Sequence, residues 1–206
     1  MTSAGTTAVA SRARPALLPI LAPVTAAALL VFFAGLQSGT TPDESWKLAA
    51  RYTARLSFWV FLLAYSARPW NRLWPSDLSR QVLRRRRAVG LSFAAAHTVH
   101  LVALVTYNVV TRQLPDAVTL VFGGGAYVAM YAMAATSNDA AVRALGRHWR
   151  TLHRVGIHWL WFVFTFSHAG RVAGGDASFV PMLAAALAGL GLRIAVWWRR
   201  RGRGTA

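Results

Sequence analysis

Cysteine is absent from this 206-residue chain and acidic residues nearly so, with six Asp and Glu against 23 Lys and Arg. Without cysteine there is no disulfide, no thiolate-held iron–sulfur cluster and no Cys-x-x-Cys-His attachment for a covalent haem. The carboxylates Asp43, Glu44, Asp77, Asp116, Asp139 and Asp176 all fall between the long apolar stretches and are read as loop residues. An apolar interior with no carboxylate argues against a proton- or cation-coupled transporter, and oxygen ligands for a hard cation are scarce. No G-x-G-x-x-G follows a strand, so the chain carries no nucleotide fingerprint of its own. Gly123-Gly124-Gly125 lies inside an apolar stretch and reads as close helix packing instead.

What the chain does have is apolar length. It is 55% hydrophobic and only 14% charged. Six stretches suit helices crossing a hydrocarbon core of about 30 Å: Ala16–Leu36, Leu48–Ala67, Ala88–Val109, Ala117–Thr136, Thr151–Gly170 and Phe179–Trp198. The expectation is an all-α polytopic membrane protein, a six-transmembrane-helix bundle forming a single domain over 1–206. The first stretch, preceded by Arg12 and Arg14, is read as a retained span: it exceeds a signal-peptide core and lacks a good cleavage site.

The formal charge of +17 is distributed by topology. Arginines crowd the second-to-third loop (Arg68, Arg72, Arg80, Arg84–Arg87), the fourth-to-fifth loop (Arg143, Arg147, Arg150) and the tail (Arg199, Arg200, Arg201, Arg203), while Arg112 and Arg171 stand alone in alternate loops. The positive-inside rule then puts both termini in the cytoplasm, with 1–15 and the basic tail 199–206 as cytoplasmic segments of a multi-pass inner-membrane protein. Anionic headgroups of the lipid bilayer, and no nucleic acid, are the expected partners of that charge. Lys47, Arg51 and Arg55 recur every four residues on one face of the second span. They either snorkel to the outer headgroups or bring Arg55 to an anionic group inside the bundle, such as a haem propionate.

Histidine is the chemistry-bearing residue. His97, His100, His158 and His168 lie within the apolar stretches and His153 at the edge of one, while His148 beside Arg147 reads as a solvated or headgroup residue. Ionisable groups in a bilayer face the bundle interior and mark ligation or relay sites, and imidazole is a common haem ligand. At about 1.5 Å per residue from the cytoplasmic arginines, His100 lies ~20 Å and His168 ~27 Å deep, both in the outer half. His97 and His158 match at mid-depth, ~15 and ~12 Å, with His153 near ~5 Å. Two antiparallel helices can each give one axial histidine to a haem. The bland reading is a histidine hydrogen-bonding a neighbouring helix.

The stretch Arg86-Arg87-Ala88-Val89-Gly90-Leu91 followed by His100 resembles the third helix of the ferric-reductase-like transmembrane superfamily. Leu145-Gly146-Arg147-His148-Trp149-Arg150-Thr151-Leu152-His153-Arg154, preceded by Thr136-Ser137-Asn138, resembles the start of the fifth helix in its haem-binding subunits of bacterial methionine sulfoxide reductase systems. The likeness runs from the second span through the fifth. It implies a six-helix bundle holding haem b and carrying electrons across the inner membrane. It assigns His100 as the third-helix ligand, His153 as the first fifth-helix histidine and His168 as the second, so that His100 and His168 hold one haem iron and His153 is open to a second haem. It further implies an electron donor on the cytoplasmic side, a quinone or a partner-borne flavin, and an outer-side reductase partner or ferric acceptor.

Two departures stand out. The family places its second fifth-helix histidine about thirteen residues after the first, where this chain has Phe166. His168 therefore requires a bulge or a different pairing, such as one through His158. Leu114 occupies the position of a further third-helix histidine found in two-haem members. Two other readings remain: a non-redox membrane protein using its histidines for metal binding or proton relay, and a haem-binding anchor for a partner.

Overall fold

Every stretch expected to cross the bilayer is helical in the computed structural model, which describes residues 17–202. The segment 1–15 with Arg12 and Arg14, and Arg203 of the tail, lie outside the described residues. Six long helices match the six stretches: α1 (Leu18–Ser38), α2 (Pro42–Leu73), α4 (Arg86–Val110), α5 (Gly124–Ala135), α7 (Arg147–Ala173) and α8 (Val180–Arg201). Two short helices, α3 (Asp77–Arg84) and α6 (Asp139–Leu145), fill the arginine-rich connections. The described residues contain no strand.

By length and composition, α1, α4 and the segment Ala177–Arg201 suffice to cross a membrane. A fourth span is counted if α5, with the π turn Thr119–Gly123 before it, is taken together with α6 across a 105° bend. The two remaining stretches, α2 and α7, are long enough at 32 and 27 residues but are diluted by charge. Their arginines cluster toward the ends and leave Leu56–Ala67 and Val155–Gly170 without a charged residue.

α2 is the central element. It packs along α4, with α1 against both, and α8 joins it from the other side. Its buried face carries Phe58, Phe61 and Tyr65, the bulkiest fully buried side chains among the described residues. Phe61 and Tyr65 meet Phe93, Met130 and Leu160, while Phe58 meets Phe179, Met182 and Ala186. Outward-facing Leu30, Val109, Val128 and Val155 are mostly exposed, which suits helices solvated by hydrocarbon. Pro23 sits inside α1 and Pro69 inside α2 without ending either helix.

Four of the six carboxylates lie in helix first turns rather than in loops, and only Asp116 and Asp176 are loop residues. Asp43 and Glu44 occupy the first turn of α2, Asp77 that of α3 and Asp139 that of α6, while Asp116 and Asp176 accept from Thr119 N (2.6 Å) and Ser178 N (3.2 Å). Helix N-termini present unpaired N–H groups and positive dipole ends, so the scarce acids serve as caps. At the α1–α2 turn the Thr40 amide and hydroxyl both donate to Glu44 Oε2, at 2.9 and 2.6 Å. These bonds hold the Glu44 carboxyl below the usual carboxylate range. Its contribution to the turn is present at neutral pH and is lost as pH falls below that range. Thermal unfolding of Glu44→Gln against the parent should show a small deficit at pH 7 that vanishes at acid pH; a deficit independent of pH would exclude the ionised carboxylate.

Candidate functional site

Three of the five candidate histidines border one set of aromatic contacts among α2, α4 and α7, with Phe164 between His97 and His168. On α4, His97 and His100 lie one turn apart with ring centroids 5.0 Å from each other. His97 is buried, and Phe164 of α7 sits 5.3 Å from its ring and 6.1 Å from that of His168. His168 is only 6% exposed, edge-on to Phe58 at 4.6 Å and beside Phe179 at 5.6 Å. Arg171, one turn after His168 on α7, stands over the same Phe179 ring that His168 meets.

α7 runs without a bulge from Arg147 to Ala173. Phe166, at the spacing where the family has its histidine, faces outward at 57% exposure, whereas His168 turns into the core. Along this regular helix the two-residue offset exchanges an outward side chain for an inward one.

Hydrogen bonding sorts the ring nitrogens. His100 Nδ1 lies 3.0 Å from the Ala50 carbonyl, which can only accept, so Nδ1 carries the proton and Nε2 keeps its lone pair. His97 Nδ1 lies 2.8 Å from Ser57 Oγ, whose own proton goes to the Ala54 carbonyl at 3.0 Å. Its Nε2 is therefore also the basic nitrogen. A carbonyl holding the far N–H of an imidazole is the support a metal-ligating histidine ordinarily has. His168 Nδ1 is buried and without a partner, an orphaned polar atom in an apolar wall.

The other two histidines stand apart. His153 Nε2 lies 3.1 Å from Thr136 Oγ1, which donates to the Ala132 carbonyl at 2.7 Å, so His153 is the donor and its ligating edge is engaged. Trp149 stacks on its ring at 4.1 Å. His158 Nδ1 lies 3.3 Å from the Tyr65 hydroxyl.

Charge rings the three-histidine cluster. Arg55 Nη2 donates to Ser178 Oγ at 2.6 Å, while its buried Nε has no partner. Arg55 and Arg171 stand over the Phe179 ring at 4.8 and 5.0 Å, next to His168. Arg51 reaches Asp176 at 3.8 Å. Of the Lys47, Arg51 and Arg55 stripe, Arg55 is the member turned toward the histidines.

The donor set suits an iron held in a macrocycle better than a bare cation. Among the described residues no group of three or more His, Asp or Glu is placed to hold a metal ion between them, whereas a haem iron needs two imidazoles only. Reading the sequence alone missed Arg171, Phe58 and Phe179. Arg171 could have been found, since it follows His168 by three residues and so shares its face. The phenylalanines carry no such signal in a chain where aromatics also face lipid.

No protein-family model and no solved structure matches the chain. The protein-methionine-sulfoxide reductase heme-binding subunit MsrQ of Bordetella pertussis is 31% identical over 129 residues, covering 59% of this chain and 62% of the relative. That of Cronobacter sakazakii is 30% identical over 148 residues, covering 65% and 72%. The Klebsiella pneumoniae protein of the same name is 29% identical over 153 residues. The match to the Bordetella relative thus spans somewhat less than two thirds of that protein's length.

Proposed function

The chain belongs to the family of haem-binding subunits of protein-methionine-sulfoxide reductase, and from that membership we propose that it holds one haem b between α4 and α7 as an electron-carrying membrane subunit. His100 and His168 are the residues that would hold the haem iron, with His97 lining the site and Arg55 and Arg171 placed to offer positive charge to the haem carboxylates. The carrying observation is the Ala50 carbonyl fixing His100 with Nε2 free, at the same end as the unpartnered His168 Nδ1.

We read all six long helices as spans, with α2 and α7 carrying their arginines at the headgroup levels and both termini on the cytoplasmic side of the inner membrane. When bound, the haem supplies a one-electron couple. The chain's own residues do the rest. The Phe58, Phe164 and Phe179 side chains exclude water and lower the local dielectric, and the Ser57 and Ala50 oxygens hold two imidazoles in one tautomer. The guanidiniums of Arg55 and Arg171 stabilise negative charge beside the site. The electron source is a quinol or a flavin on a cytoplasmic partner, and the acceptor an outer-side reductase. His153, with Nε2 given to Thr136, is assigned to the wall of a cavity lined by Arg68, Arg86 and Arg193 rather than to a second haem.

Purified membranes, reduced with dithionite, are expected to show the Soret and α bands of low-spin bis-histidine haem. His168→Ala should lose the low-spin signature, and His158→Ala should keep it. The reverse pattern would move the second ligand to His158; colourless membranes after expression with ample porphyrin would end the haem reading.

A further inference from the structure

At the opposite end of the bundle, α2, α4, α5, α7 and α8 line a cavity of about 540 Å³. Arg68, Arg86, Arg87, Arg150, Arg154 and Arg193 line it, and Asp139 is the one carboxylate among its lining residues. Arg87 reaches that carboxylate at 3.6 Å. Arginine does not deprotonate in proteins, so this concentration of guanidiniums calls for an anion.

Arg193 is built into the site. Its Nη2 donates to the Tyr65 carbonyl at 2.8 Å, its guanidinium lies 3.8 Å over the Tyr65 ring, and its buried Nε has no partner. Arg86, at the start of α4, and Arg68 of α2 line the same wall as Arg193, so like charges face one another there without a carboxylate between them other than Asp139. Inward from the arginines the wall turns apolar, through Phe61, Phe93, Met130 and Leu160. At the mouth stand Asn138, Asp139 and Val142, where α6 turns 105° away from α5. Basic rim and apolar depth together match an amphiphile.

We propose that this cavity is a phosphate-binding site, held by Arg86, Arg154 and Arg193, for the headgroup of an anionic phospholipid of the cytoplasmic leaflet. Bidentate guanidinium–phosphate pairing gives affinity and geometry, and the Phe61–Met130 wall receives the start of an acyl chain. The proposal rests on the membrane reading above, not on the haem ligation.

Native mass spectrometry of the full chain, released from mixed micelles of phosphatidylglycerol and phosphatidylcholine, tests it. One phosphatidylglycerol should be retained in preference to phosphatidylcholine. Arg86→Gln with Arg154→Gln should reduce that retention on the order of tenfold, the scale of losing charge-assisted hydrogen bonds. The single Arg154→Gln variant, altering an exposed residue, covers the case where the pair misfolds and should show a smaller loss. Arg199→Gln with Arg200→Gln removes equal charge outside the cavity and should leave retention unchanged. Equal loss in the tail variant, or no preference for the anionic lipid, overturns the proposal. Competition by millimolar inorganic phosphate would keep the phosphate site and assign its occupant to the cytosol. The haem spectrum separates the two readings: halved haem content in the cavity variants would give the cavity to a second haem, and overturn the lipid.

Discussion

His100→Ala should abolish the haem absorbance of purified membranes while leaving the protein in the membrane at parental levels. Substitutions that merely loosen the support of a metal-ligating histidine cost about 10–100-fold in affinity, and removing the ligand itself should cost at least that. His100 is singled out because its Nδ1–H already has an acceptor in the Ala50 carbonyl, so Nε2 is presented in one tautomer and one orientation. Thr53 Oγ1, 3.4 Å from the same nitrogen, is itself buried and tied to the Ala49 and Ala50 carbonyls. His97→Ala provides the contrast. His97 lies one turn away against Phe93, Tyr127 and Phe164, and its loss should shift the bands or the midpoint potential without removing the colour. If His97→Ala bleaches the protein and His100→Ala does not, the third-helix ligand has been misassigned by one turn.

Gly35→Val should be the most damaging single change away from the histidines. A Cβ at Gly35 would meet the Ala49 Cα atom and lie 2.5 Å from the Ala49 nitrogen. The obstacle is backbone rather than a movable side chain, so α1 must back away from α2. Overpacking of this kind costs about 1–3 kcal/mol. The contact it would open joins Ala49, Ala50 and Ala103 with Phe32 and Leu36. Ala50 is also the residue whose carbonyl holds His100, so the lesion should travel. A lowered thermal midpoint in detergent is expected, together with weakened haem retention. Gly90→Ala, where a Cβ would meet nothing within 4 Å, should change neither. An unchanged midpoint for Gly35→Val would show that α1 is not held against α2 in the folded protein.

The sequence by itself determined that this is a helical membrane chain with a histidine-rich interior. Apolar stretches of span length must close their backbone hydrogen bonds internally, and arginine distribution orders their ends, so both are properties of composition along the chain. The six stretches coincide with the six long helices to within a few residues at most ends. The largest differences are at α5, which begins seven residues after Ala117 because the π turn Thr119–Gly123 precedes it, and at α2, whose charged ends extend beyond its apolar middle. The family resemblance was equally legible in the residues around His100 and His153.

The site itself was decided by tertiary structure. Periodicity could not say that Phe166 faces outward and His168 inward, because helix phase alone does not reveal which face meets a neighbour. Nor could it find the Ala50 carbonyl, an acceptor fifty residues from His100 that becomes a partner only when α2 lies along α4. The arginines were read as topological signals one loop at a time. That Arg68, Arg86, Arg154 and Arg193 share a single cavity follows from the ends of four helices being brought together, a relation between distant segments that no local pattern contains.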